Sequence, residues 1–149
     1  MEGHAFQSGP IHIVRIDTGE DVLVKLREYL QLNKIEQGVI LGGYGTLASY
    51  HLHWVNDNRI PSSNSFRQED GGYELLSMDG LIVQGDPHIH VTISTIDGAL
   101  GGHLEEGCRV YVLCDLYFAE VKGNALKRGK RDVDIPGIGK GKVTTLQFE

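Results

Sequence analysis

The sequence predicts an α+β domain, an antiparallel β-sheet with one main α-helix packed on it. Three observations predict it: a single apolar stripe of helical period, a long succession of alternating segments, and 20 glycines in 149 residues to turn between them. The alternating opening HIVRIDTG reads as a strand, with Ile11, Ile13 and the stem of Arg15 on one side and Val14 and Ile16 on the other. The period then changes. Thr18 with Glu20 and Asp21 behind it has the spacing of a capped, acidic helix start, and Val22, Leu23, Leu26, Tyr29 and Leu30 form one stripe ending near Asn33 and Lys34. Further strands are expected over EQGVILGG, TLASYHLHWV, YELLSMDGLIVQ, HIHVTISTI, a short piece after Asp97-Gly98, CRVYVLCDLYFAEV and KVTTLQF, with the polar stretch NDNRIPSSNSFRQEDGG as a loop. No linker or repeat divides the chain, so residues 1–149 are read as one domain.

Composition narrows the function. Lys and Arg number 14 against 20 Asp and Glu, a formal charge of -6, which argues against binding nucleic acid through the whole surface. No apolar run approaches the roughly 20 residues needed to cross a bilayer, and MEGHAFQSGP holds no apolar signal core, so a cytoplasmic protein without a membrane partner is expected. A chain of this length buries roughly two thirds of its surface without help from metal or disulfides, so a metal site here serves function. Cys108 and Cys114 lie about 20 Å apart along one strand and cannot bridge each other; they share parity with Val110, Val112, Leu116 and Phe118 and read as buried thiols. On the opposite side of that strand Tyr111, Leu113 and Tyr117 make a second apolar face that one helix cannot also cover, and a second copy of the chain is the economical cover.

The strongest constellation is Gly85-Asp86-Pro87-His88-Ile89-His90 followed by Gly101-Gly102-His103. In a strand His88 and His90 share a face about 6.6 Å apart, close enough to converge on one ion. A two-residue turn at Asp97-Gly98 would set Ile96 opposite Ala99 and His103 opposite Thr92, bringing all three imidazoles to one face. Three imidazoles without a thiolate suit a divalent metal, Zn²⁺ before Ni²⁺, Cu²⁺ or Fe²⁺, with the fourth position left to water, an external ligand or another subunit. Glu105, and as catalytic candidates Glu106 and Asp86, are the carboxylates near enough to orient a ligand or act as base. A second pair, His51 and His53, lacks a third histidine in obvious register and reads as polar residues on the surface, and His4 and His12 are weaker candidates still. Gly42-Gly43-Tyr44-Gly45 follows the helix and precedes a strand, the wrong order for a phosphate loop, and reads as a sheet turn or bulge. Lys127, Arg128, Lys130 and Arg131, with Lys140 and Lys142, gather six of the 14 basic residues into a glycine-rich hairpin, partly neutralised by Asp132 and Asp134, that is the candidate nucleic-acid or anion contact.

Through YELLSMDG, GDPHIHVTIS and GGHLEEGCRVYVLCDL, with RIDTGED at the helix start, GGYGTL, and the step Gly102-His103-Leu104 followed by Glu106 and Gly107, the chain resembles the plants-and-prokaryotes-conserved domain from about Ile13 to Leu146. This domain accompanies AT-hooks in plant nuclear proteins and stands alone in prokaryotes. The resemblance implies an α+β homotrimer in which His88, His90 and His103 match the histidines that bind metal in some prokaryotic members. It also implies a regulatory, ligand-sensing or protein-interaction module, with a small-molecule ligand or a protein as partner. A zinc-dependent enzyme acting on a small molecule is the alternative. The DNA-reading hook is an Arg-Gly-Arg-Pro core in the minor groove; here Arg128-Gly129-Lys130-Arg131 runs into Asp132, so direct DNA binding is expected to be weak or absent.

Overall fold

The computed structural model describes residues 1–123 and 125–148. In chain order it contains β1 (Gln7–Ile16), α1 (Val22–Asn33), β2 (Gln37–Val55), β3 (Asn64–Val83), β4 (Asp86–Thr95), β5 (Gly98–Leu104), β6 (Arg109–Lys122), β7 (Leu126–Ile135) and β8 (Gly139–Phe148). Six strands form one antiparallel sheet in the order β1-β6-β2-β3-β4-β5, and β7 and β8 form a separate hairpin. A further pairing of β2 with β5 rolls the end of the sheet back on itself, so that β2, β3, β4 and β5 make a closed ring. The mixture of strands and one helix bears out the α+β reading.

The helix forms where the stripe predicted, but its cap is Asp21 rather than Thr18. The Asp21 carboxylate accepts the free N–H groups of Leu23 and Val24, each at 3.0 Å, while a second oxygen accepts Gly107 N–H at 2.5 Å. One side chain therefore ends the helix and ties it to the segment entering β6. Thr18 instead donates to the Val112 carbonyl across the sheet. Val22, Leu23, Leu26 and Leu30 are buried in a core shared with Val14, Ile16, Leu116 and Phe118. Tyr29 and Glu120 grip His12 between them, at 2.9 and 2.8 Å, and the imidazole stacks on Phe118, so His12 is a structural clasp between helix and sheet.

Two expected strands are one. β2 runs unbroken through Gly42-Gly43-Tyr44-Gly45, where its register to β6 slips, so the glycines make a bulge and not a turn. A Cβ on Gly45 would strike the Leu113 carbonyl of β6, and one on Gly80 would strike the His88 carbonyl of β4. Much of the polar stretch expected as a loop is strand: Asn56 closes a short turn onto Ser63 at 2.8 Å, and β3 starts at Asn64. Its ladder with β2 rewards pairing even though the residues are polar and exposed.

Cys108 and Cys114 are fully buried, as expected, and burial pushes each thiol up to about 12. Val112 departs from their parity and is exposed, because the register slips between Gly45 and Leu47 of β2 leave Val112 N–H to bond the Thr46 hydroxyl. The outer face of β1, β6 and β2 exposes many apolar side chains, with the Arg15–Asp115 pair among them. Ile13, 77% exposed, lies beside Tyr117, and Ile11, 64% exposed, lies beside Ala119 and then Val39.

Two outcomes follow from this packing. Asp21→Ala removes three hydrogen bonds and should cost about 1–2 kcal/mol in denaturant unfolding; an unchanged midpoint would show that the cap does not hold the helix. A thiol reagent at pH 8 should label neither cysteine in the native chain and both after unfolding, because both groups stay protonated and sealed well above that pH.

Candidate metal centre

β4 sends alternate residues to opposite sides, so Ile89, Val91 and Ile93 enter the core while His88 and His90 stand outside. The turn after it is one residue earlier than the sequence suggested, which shifts the pairing by two. Thr95 pairs with Gly98 across Ile96-Asp97, which sets His103 directly opposite His90 rather than opposite Thr92. An even shift preserves parity, so the predicted convergence survives and tightens. Ring centres lie 4.4 Å apart for His88 and His103, 5.3 Å for His90 and His103, and 5.4 Å for His88 and His90. One ligand nitrogen from each can be chosen so that all lie within 4.8 Å of one another.

The rings are poised as ligands. Desolvation, then the neighbouring imidazoles of His88 and His53, lower His103 from 6.5 to about 4. His88 is lowered by the same desolvation first and then by the Arg128 charge, with Asp86 acting the other way. Both are therefore neutral near pH 7, the form whose lone pair binds a cation.

Sequence reasoning missed His53. β2 meets β5 with His53 directly opposite His103, and the two ring centres are 4.3 Å apart. Its Nδ1–H donates to Glu105 at 2.6 Å, while Glu105 N–H donates to the His51 carbonyl at 3.0 Å. His53, His103 and Glu105 form a second group whose ligand atoms lie within 4.8 Å. The available signal was the matched parity of two H-x-H pairs, but nothing local tells that β2 and β5 are neighbours. His51 is spent structurally, donating to the Glu106 carbonyl at 2.7 Å. His53, His88, His90 and His103 line one cleft of about 550 Å³, walled by Trp54, whose indole N–H donates to the Gly101 carbonyl.

The other candidates lie apart from this convergence. Arg27 of α1 holds Asp86 at 3.0 Å and Glu106 at 2.6 Å, so these carboxylates are clamped by a guanidinium. Glu105 is the carboxylate at the histidines. Arg128 reaches the margin, lining a small cleft with Val83, Asp86, His88 and Thr144, and its backbone N–H donates to Gln84 at 3.2 Å. Lys127, Lys130 and Arg131 lie on the same β7–β8 hairpin, where Asp132 faces Lys142 and Asp134 pairs with Lys140 at 2.9 Å. The basic run is thus the hairpin that its sequence suggested.

Comparison with known proteins fits this architecture. A chain of Pyrococcus horikoshii described as a plant- and prokaryote-conserved protein is 26% identical, with a TM-score of 0.74 over 86% of this chain and 90% of that one. A metal-containing protein of Archaeoglobus fulgidus is 22% identical, with a TM-score of 0.76 over 94% and 96% of the two chains. A Ralstonia eutropha chain provisionally named a DNA-binding protein is 20% identical, with a TM-score of 0.68 over 95% and 96%. Among curated proteins, the bifunctional protein GlmU of a Synechococcus strain is 23% identical over 111 residues, which are 74% of this chain but only 17% of that protein. The sequence profile of the Plants and Prokaryotes Conserved (PCC) domain matches residues 3–122, stopping short of the β7–β8 hairpin. From its matched residues and its fold, the chain belongs to the Plants and Prokaryotes Conserved domain family.

Proposed function

We propose that this is a cytoplasmic, homotrimeric metal-binding PCC-domain protein in which His88, His90 and His103 hold one divalent ion of the zinc type. It serves as a ligand-sensing or protein-interaction module in regulation, with direct DNA binding weak or absent. The observation that carries the reading is the convergence of three imidazoles from two paired strands, with ligand atoms within 4.8 Å of one another. Donor chemistry fits: three nitrogen ligands without a thiolate favour a borderline cation such as Zn²⁺. The name of the Archaeoglobus protein is consistent with it. When bound, the ion would supply a Lewis-acidic point on which an anionic or polar ligand docks; the chain supplies the cleft and its Trp54 wall.

Support for self-assembly comes from the outer sheet face, where Ile11, Ile13, Tyr111 and Tyr117 stand exposed on adjacent strands. Large apolar side chains exposed around the Arg15–Asp115 pair are the kind that a symmetric oligomer buries. The enzymatic alternative is favoured by one observation, the cleft beside the three histidines with the His53–Glu105 pair at its edge. There Glu105 and His53, rather than Glu106 and Asp86, would handle a proton.

Elemental analysis after chelator washing and reloading, run beside solution mass, tests the proposal. Wild type should carry about one ion per chain in a trimer, His90→Ala none in an intact trimer, and Ile13→Glu should break the trimer. A metal-free wild type would refute the site.

A pH series checks the electrostatics. Below about 6.5 the unfolded chain protonates His103, whereas the fold resists until about 4, so metal-free protein should lose stability as pH falls through that window. The loss should be smaller in His103→Gln, and equal slopes for the two proteins would contradict the shift.

A further inference from the structure

Arg128 is a cation set beside the three histidines. It lies on β7, beyond the residues that the family profile matches, yet it lines a cleft of about 420 Å³ with Thr144, His88, Asp86 and Val83. His88 also lines the cleft of His90, His103 and Trp54, so the two openings share one imidazole wall. The hairpin is fastened at this spot. Gln84 accepts Arg128 N–H at 3.2 Å, Gln37 at the start of β2 accepts Leu126 N–H, and the Leu126 side chain is buried. The root of the Arg128 side chain is thereby held to the main sheet.

Alternation decides which side chains accompany it. Arg128 and Lys130 share one face of the hairpin, Lys130 stands directly opposite Thr144, and directly paired residues share a face. Further along that face the charges offset each other, with Asp132 opposite Lys142 and Asp134 paired to Lys140. At the cleft end they do not. Among the described residues no carboxylate pairs with Arg128 or Lys130, and Asp86, the acid of this cleft, is held by Arg27 at 3.0 Å. A guanidinium, an ammonium and a hydroxyl thus stand together, next to imidazoles placed to take a cation, on a molecule of net charge -6. Such a guanidinium offers a planar fork of donors that matches two oxygens of one anion, and a hydroxyl adds another hydrogen bond. The volume of the cleft is that of a small-molecule site.

We propose that Arg128 and Thr144, with Lys130 beside them, are the oxyanion subsite of the metal centre, and that its ligand is a small carboxylate or phosphate compound. The guanidinium and hydroxyl grip one end, and the other end reaches the ion past His88. This rests on the metal reading above and names the class of ligand for that site. Anion and ion then strengthen each other's binding by the same factor.

Titrating inorganic phosphate, and separately malonate, into cobalt(II)-loaded protein tests this through the visible bands, which move when an anion reaches the ion. Wild type should respond saturably to at least one of the two, and the tighter one identifies phosphate or carboxylate as the group held. Arg128→Gln should need at least tenfold more of that anion with cobalt content unchanged. Arg128→Lys should recover only part of the affinity, since it keeps the charge and loses the fork. Lys140→Gln, which removes a cation of the same hairpin already paired with Asp134, should behave as wild type. In competition titration the saturating anion should tighten Zn²⁺ in wild type and not in Arg128→Gln. Arg128 is exposed, so its variants should keep the fold, with circular dichroism as the check. Equal anion affinity in wild type and Arg128→Gln, or a loss in Lys140→Gln as large as in Arg128→Gln, would overturn this inference and leave the three-histidine site standing. A wild type that takes up cobalt and responds to neither anion would do the same. No bound ion in wild type would remove both this inference and the reading under it.

Discussion

The short ladder between β2 and β5 is the constraint on which the candidate centre depends. It consists of two residue pairs, Leu52 with Leu104 and His53 with His103. The leucines face inward and are fully buried, while the histidines face the cleft. Burial of an apolar pair on one side of the sheet thus dictates which imidazoles meet on the other, because successive side chains alternate faces. The same contact closes β2, β3, β4 and β5 into a ring, which removes the free edge that β5 would otherwise present. Slipping it by one residue would turn His103 into the core and expose Leu104.

From that ladder the electrostatic arrangement follows in order. The chain leaves β5 at Leu104 and continues into β6 along the same edge of β2, so Glu105 and Glu106 fall at the crossing between them. Successive residues point different ways, and the two glutamates are accordingly divided. Glu105 reaches His53, and Glu106 reaches Arg27 on α1. Arg27 in turn draws in Asp86 from the start of β4, so one exposed guanidinium bridges two carboxylates at the rim. At the surface such pairs contribute little stability, about 0–1 kcal/mol each. Their effect is spatial: Asp86 and Glu106 are held toward Arg27, and Glu105 is the carboxylate hydrogen-bonded to a histidine of the cleft.

The β7–β8 hairpin stands apart, as a sheet of its own beyond the matched family region. It adds Arg128 to the margin of His88 and carries much of the chain's positive charge on an otherwise acidic molecule. Local cross-strand acid–base neighbours offset part of that charge, so the basic run is less a continuous cationic track than its sequence implies.

Much of the architecture was legible because period is a local property of the backbone. Three- and four-residue spacing marked Val22 to Leu30 as a helix, and alternation marked His88 and His90 as facing the same way. Parity alone carried His103 to their face, which is why a two-residue error in the pairing did no harm. Composition misled at residues 64–72, where polar residues stand in a strand held by ladder hydrogen bonds instead of apolar burial. It also misled at Val112, where bulges in the partner strand reset the alternation. Least legible were the roles of His53, Glu105, Asp86 and Glu106, since each depends on a neighbour roughly 50 or more residues away. The sequence by itself determined the helix, the strands and the shared face of three histidines, through spacings that any pleated or helical backbone must obey. Only the tertiary structure decided that β2 lies against β5, and hence that a fourth histidine and one particular carboxylate join them. That choice among possible strand partners is made by burial of the whole core and not by any local pattern.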